Sequence, residues 1–437
     1  MQAGFTKAVK YEITAVCQSP FHTGGDTGAD EILIAHNGQY IYQGSSIAGA
    51  LREYMRRYFD NNAESFLFGS SDSEGSLIIS EGIFKSKNHL PVSRDRVRIN
   101  GRTGTAVADN LFSTKYLLKG STFNFSIIWL GEEKHCLGAV NALEWTLSAL
   151  NNGDIRLGGQ KTNGFGQVEL KRVEKRVYDM LKEEDREDWL NNAFDGEPVK
   201  LSKNTSYGMV KFTLFGDMES VLVRSSESDE KERDGKTCYI SVNMKEDNKP
   251  IIPASSIKGA VRVRTAKIAK LIGFKEDIAE SIFGRESKDD DNGAAGVVLF
   301  EDVYLNEMEY KPKDAARIRI NRFTGGTMSR SKALFSEKPL SGKVSIEIAV
   351  PENRKDACFL IFYALRDLGI GLYPLGSGNN VGRGFVRGEY LKADISGRQD
   401  ITLTFKEDAP CDVEGEEHIL DEWRKECFKQ IKKEAVS

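Results

Sequence analysis

Apolar and polar residues alternate with period two in several short runs of this chain, and each run predicts a half-buried strand. YEITAVC from Tyr11, FNFSIIWL from Phe123, VKFTLF from Val210 and VSIEIAV from Val344 are the clearest. Elsewhere the period lengthens to that of a helix. In the stretch that begins GSSIAGALR at Gly44, residues Ile47, Ala50, Leu51, Tyr54, Met55 and Tyr58 share one face, while Arg52, Arg56 and Arg57 occupy the other. AVNALEWTLSALNNG from Ala139 and ACFLIFYALRDLGIG from Ala357 read as further helices, each running into glycine.

The pattern occurs twice. ASSIKGAVR from Ala254 echoes GSSIAGALR at an offset of 210 residues, with Lys258, Arg262, Arg264 and Lys267 on its polar face. Four other landmarks repeat in the same order. The Tyr11 strand matches the Val210 strand, and FGSSDSEGSLIISEGIF from Phe68 matches FGRESKDDDNGAAGVVLFEDVYL from Phe283. VRINGRTGTAVADNLF from Val97 matches IRINRFTGGTMSRSKALF from Ile318, and RLGGQKTNGFGQVEL from Arg156 matches PLGSGNNVGRGFVRGEYL from Pro374. An ordered set of this kind is the mark of tandem duplication. Strands and helices within each half, on an antiparallel sheet, predict an α+β chain of two ferredoxin-like domains. The expected boundaries are 1–200 with a linker helix, 205–404, and a C-terminal tail over 405–437. The apolar stripe of that tail (Leu420, Trp423, Cys427, Ile431) reads as packing for its own domain.

Composition narrows the picture only slightly. Of 437 residues, 61 are Lys or Arg and 65 are Asp or Glu, so a net charge of −4 singles out no partner class. Its distribution does more: Arg94, Arg96, Arg98 and Arg102 cluster, as do Arg317, Arg319, Arg322 and Arg330. Local basic tracts matter more to a polyanion than whole-chain charge. The six cysteines form no CxxC pair, which argues against zinc and against a disulfide framework and predicts a reducing cytoplasm. No apolar run is long enough for a membrane span, and none at the start reads as a signal peptide.

The candidate chemistry is phosphate binding. Ser45 and Ser46, and Ser255 and Ser256, stand where an N-cap is expected, at helix starts whose free amides and flanking cations (Arg52; Lys258, Arg262) suit an anion. The glycine loops can bring backbone amides close to phosphate, with Lys161 and Asn163 in the first and Asn380 and Arg383 in the second. Arg98 and Arg102, and Arg319 and Arg322, lie on arms that combine cations with apolar anchors. His22 and His36 flank the loop before Gly44 and could serve as general acid and base in metal-free cleavage.

Strand, loop, GSSIAGALR helix, INGRTGTA-type insertion and closing GGQKTNGFG loop, in that order and present twice, resemble the repeat-associated mysterious protein (RAMP) superfamily. Within it the chain is most similar to the backbone subunits of type III CRISPR effector complexes. The resemblance implies an RRM-like core in each half that binds CRISPR RNA, with an inserted thumb that parts guide from paired target. It also implies other RAMP subunits and the large subunit as partners. In such subunits one aspartate before the GSS helix is needed for metal-dependent cleavage of complementary target RNA. The matching position here is Asp30, with Asp26 as runner-up, and Mg²⁺ or Mn²⁺ as the metal at Asp30. In the second half the position falls near Cys238, with Asp229 and Asp234 upstream in a longer loop, so only the first half is expected to cut. A non-catalytic guide-binding scaffold and a metal-independent processing ribonuclease remain as alternatives.

Overall fold

The computed structural model describes residues 5–24, 31–35, 37–58, 61–85, 91–100, 103, 106–202, 208–233, 236–274, 278–285, 293–305, 309–310, 315–328, 334–407 and 409–436. The chain opens with β1 (Lys7–Cys17), β2 (Ile41–Tyr42), α1 (Gly44–Tyr58), α2 (Asn61–Phe68), β3 (Leu77–Ile79) and β4 (Gly82–Phe84). A ribbon of β5 (Val92–Ile99) and β6 (Ala106–Tyr116) follows, then β7 (Thr122–Gly131), α3 (Glu133–Asn151), β8 (Val168–Asp179), α4 (Glu183–Leu190) and β9 (Glu197–Pro198).

The second half begins with β10 (Met209–Val221), β11 (Arg224–Arg233), β12 (Lys236–Asn243), β13 (Lys245–Glu246) and β14 (Lys249–Ile252). Next come α5 (Ala254–Ile272), α6 (Ile278–Phe283), β15 (Gly284–Arg285), β16 (Ala294–Ala295), β17 (Leu299–Phe300), β18 (Val303–Tyr304) and β19 (Glu309–Tyr310). It closes with β20 (Ala315–Ile318), β21 (Leu334–Glu337), β22 (Leu340–Pro351), α7 (Lys355–Gly369), β23 (Phe385–Ile395), β24 (Ile401–Thr404), β25 (Asp412–Glu414) and α8 (Glu417–Val436).

Each half is built on one antiparallel sheet whose first strand lies in the middle. The orders are β2-β4-β7-β1-β8-β9 and β17-β22-β10-β23-β24-β25. β1 pairs with β7 and β8 and is bulged at Thr14/Ala15; β10 pairs with β22 and β23 and is bulged at Phe215/Gly216. Period-two alternation puts Val9, Tyr11, Ile13, Ala15 and Cys17 into one core and Val210, Phe212 and Leu214 into another, beneath the helices. The expected α+β class, with a ferredoxin-like core in each half, is what the structure shows. Two compact units emerge: Met1–Arg96 with Phe112–Lys161 and Phe165–Tyr207, and Gly208–Ser437 with Val97–Leu111 and Thr162–Gly164.

Helix α1 buries Ile47, Ala50, Leu51, Tyr54 and Met55 as its periodicity dictates, and Tyr58 stays partly exposed at the edge of Trp145. The serines are not N-caps. Both helices start one residue earlier, so Ser45 and Ser46, and Ser255 and Ser256, lie inside the first turn. At α5 the N-cap is Pro253, without a side-chain cap, and the Ala254 amide donates instead to Asp302 Oδ1 at 2.7 Å. At α1 the matching Gly44 runs so close to the β3–β4 turn that a Cβ would stand 2.4 Å from the Ile79 carbonyl oxygen.

The loop expected around Cys238 is instead a hairpin of β11 and β12, which puts Cys238 in register with Lys231. Polar alternation in SESDEKER hid those strands behind what read as a charged loop. Helices α2 and α6, each ending at a Phe-Gly turn, also escaped the periodicity because they span only 8 and 6 residues.

The C-terminal segment joins the second core. β25 extends the sheet, and α8 buries Ile419, Trp423 and Cys427, with the Trp423 ring edge-on to Phe212 at 5.9 Å. Leu420 and Ile431 pack at the margin of that core. Burial pushes the Cys427 thiol up to about 12, so it is a packing group rather than a nucleophile. Trp423→Ala should therefore destabilise the second unit by about 3–5 kcal/mol. Urea denaturation followed by circular dichroism reads this out, and an unchanged midpoint would show that α8 is not part of that core.

Candidate functional site

In each unit the glycine loop is closed on itself and fastened by backbone hydrogen bonds to the end of the central strand or the segment just beyond it. In the first, the Gly166 amide donates to Pro20 O at 2.9 Å, Gly159 to His22 O at 2.9 Å, and Leu157 to Gly166 O at 2.8 Å. In the second, Gly384 donates to Glu219 O at 2.9 Å, Ser377 to Leu222 O at 2.7 Å, and Leu375 to Gly384 O at 2.8 Å. Gly166 and Gly384 have φ of +86° and +74°, and an added Cβ would sit 1.9 and 1.8 Å from the carbonyl oxygens of Leu157 and Leu375. Only glycine fits there.

These bonds use up several amides expected to face phosphate, and Gly158 spends another on Tyr42 Oη at 2.8 Å. Each loop also carries a single 3₁₀ turn, half-buried at Lys161–Asn163 and exposed at Asn379–Val381. Asn163 is half-buried and Asn380 is exposed on these turns. Lys161 is half-buried, and its pKa lies below the lysine value of 10.5. Burial is the main cause; Glu53 opposes it and Arg57 reinforces it. An ammonium short of water is well prepared for a phosphate oxygen.

Two arginines expected to contact phosphate act as internal clamps. Arg52 Nη2 donates to Gly69 O at 2.9 Å, and its Nε binds the buried Glu64. Arg262 Nη1 donates to Gly284 O at 3.1 Å. The two helices thus grip the two Phe-Gly turns at matching positions. Within the second unit, Lys258 Nζ donates to Thr162 Oγ1 at 2.8 Å.

Where the inserted ribbon meets the glycine loop, the two units use different chemistry. The repeat aligns Arg96 with Arg317 and Tyr116 with Glu337, both at an offset of 221, and Phe165 with Arg383. In the first unit Arg94, 1 % exposed, lies 5.2 Å from the ring centres of both Tyr116 and Phe165, which stack on each other at 5.4 Å. Arg96 adds a hydrogen bond to Gln160 Oε1 at 2.9 Å. In the second unit the aromatic pair is replaced by ions: Glu337 accepts from Arg317 and from Arg383 Nη1 at 2.7 Å. Arg383 is thereby a buried internal partner rather than an exposed phosphate contact.

Arg98, Arg319 and Arg322 are exposed. The bend after β20 is ordered by Asn321, whose Oδ1 accepts the Phe323 amide at 2.9 Å, and it presents a wholly exposed Phe323. Asp30, Asp26, Arg102, Asp234 and His36 lie outside the described residues. Asp229 accepts from Lys338 Nζ at 2.7 Å. His22 is buried, with Nδ1 2.8 Å from Lys115 O and its ring against Gly159, so it packs under the glycine loop. The spacing of its loop gave no sign of this, because its partners lie across the fold.

Lys161 generates a measurable pH dependence. Between its lowered folded value and 10.5 the unfolded chain binds more protons than the folded one, so stability should rise with pH across that window. Lys161→Met should remove that rise, as read from urea midpoints at stepped alkaline pH. An identical slope in the variant would place the lysine in ordinary solvent.

Comparison with curated proteins gives no match. Among solved structures, the cryo-EM structure of the Type III-B Cmr-beta bound to cognate target RNA aligns at 15% identity, with a TM-score of 0.32. The alignment covers 39% of this chain and 61% of that chain, a distant likeness on which nothing below rests. No described helix is long and apolar enough to cross a membrane. A family model does match, in two separate stretches, residues 14–169 and 239–387, which together make up well over half of the chain. The protein belongs to the RAMP superfamily, with one matched region in each half.

Proposed function

We propose that this chain is a two-domain backbone subunit of a type III CRISPR effector complex, and that it holds CRISPR RNA along the starts of α1 and α5 and the 3₁₀ turns of the two glycine loops. The observation that carries this reading is the pairing of helix and pinned glycine loop, built twice in a chain that the RAMP family model matches twice. The underhydrated Lys161 supports it, as do the exposed Arg98, Arg319, Arg322 and Asn380. The exposed Phe323, flanked by Arg322 and by Ile320 at 59 % exposure, suits an arm that parts stacked bases while its cations hold the backbone. The remaining partners would be other RAMP subunits, the large subunit and complementary target RNA, in the cytoplasm.

Cleavage of that target is assigned to Asp30, with Asp26 beside it in sequence, and Mg²⁺ or Mn²⁺ would supply charge stabilisation there. Both carboxylates lie outside the described residues, and the described residues contain no group of three or more metal-type donors. The second half is read as binding without cutting. Its candidate Asp229 is engaged by Lys338, and its loop is replaced by the β11–β12 hairpin. The buried setting of His22 speaks against histidine chemistry.

In the assembled complex, Asp30→Asn should cut cleavage of a guide-matched RNA by roughly 100-fold or more while guide retention is unchanged. Gel analysis of labelled target, with guide quantified in parallel, measures both. Full cleavage by the variant would refute the assignment, and no cleavage by the unaltered complex with guide bound would leave a scaffold. Cleavage that survives a chelator but is lost in His36→Ala would point to guide processing instead.

A further inference from the structure

The Glu337 carboxylate is 1 % exposed and holds two guanidinium groups from different parts of the second unit. Arg317 approaches from β20, with Nε at 2.9 Å and Nη2 at 2.6 Å from Oε2. Arg383 approaches from the glycine loop, with Nη1 at 2.7 Å from the same oxygen. Arg383 is itself 6 % exposed and sits immediately before Gly384, whose amide ties the loop to Glu219. Arg317 is followed by Ile318 and Arg319, which are exposed on the ribbon. Without the carboxylate, a buried Arg383 and a one-third-exposed Arg317 would remain close together, repelling each other and lacking the anion they share.

We propose that Glu337 is a positioning residue that couples the second glycine loop to the β20–β21 ribbon, so that ordering one by a ligand orders the other. Resting on the RNA reading above, this makes loop and ribbon a single RNA-gripping unit. At the matching junction of the first half, Arg94 lies against the Tyr116 and Phe165 rings.

The test uses the full chain and two variants. Glu337→Gln keeps the shape and one carbonyl acceptor but removes the negative charge that both arginines share. The triple exchange Ala315→Arg, Glu337→Tyr, Arg383→Phe installs the ring-and-guanidinium chemistry of the first half. Hydrogen exchange on the unliganded chain is expected to rise together in residues 315–318, 334–337 and 375–384 of Glu337→Gln, while residues 92–96 and 157–166 keep their protection. Affinity for a single-stranded RNA oligonucleotide should fall about tenfold, as for loss of a charge-assisted contact. The triple exchange should restore both. Faster exchange in only one of the two segments, or in neither, would overturn the coupling. If the unaltered chain binds no RNA while the segments still loosen together, the RNA reading fails and the coupling stands.

Discussion

The bond from a glycine amide to the end of the central strand or the segment just beyond it, Gly166 to Pro20 in one half and Gly384 to Glu219 in the other, is the constraint on which each half depends. A central strand paired on both sides is the stiffest part of such a sheet, and whatever is tied to its exit inherits that stiffness. The tie tolerates no side chain at the glycine, because the Leu157 and Leu375 carbonyl oxygens occupy the space. From that fixed point the 3₁₀ turn projects, Lys161 is drawn against α1, and Phe165 or Arg383 is delivered to the ribbon. The loop's glycines thus serve architecture first, leaving a narrow outward rim for any ligand.

Much of the architecture was legible in the sequence. Strict alternation in YEITAVC and FNFSIIWL, and the Ile47 to Met55 face of α1, are direct consequences of burying one side of an element. The repeat carried the rest, since five landmarks in fixed order leave little freedom for a second fold. What escaped was whatever depends on distant partners. Arg52, Arg262 and Arg383 look like ligand contacts on a linear reading, but their acceptors (Gly69 O, Gly284 O and Glu337) are placed by the fold. Asp302 as the partner of the Ala254 amide is hidden for the same reason, at 48 residues' separation.

The two ribbon junctions show one geometric requirement met by unlike physics. A guanidinium packed against a pair of stacked rings loses little of that contact to added salt and gains from polarisation and packing. A carboxylate between two guanidiniums binds more directionally, but all three charges lose water on folding, so the arrangement is worth having only while complete. Equivalent positions in the halves therefore cannot be exchanged singly: Tyr116 and Phe165 belong together, as do Glu337 and Arg383.

The start of α1 carries a similar lesson about descent. Gly44 leaves no room for a methyl group beneath the Ile79 carbonyl, whereas its counterpart Ala254 buries one without difficulty. A recombination event that copied the later half's helix start over the earlier one would break the fold at a single atom, while the reverse transfer would merely vacate a small volume.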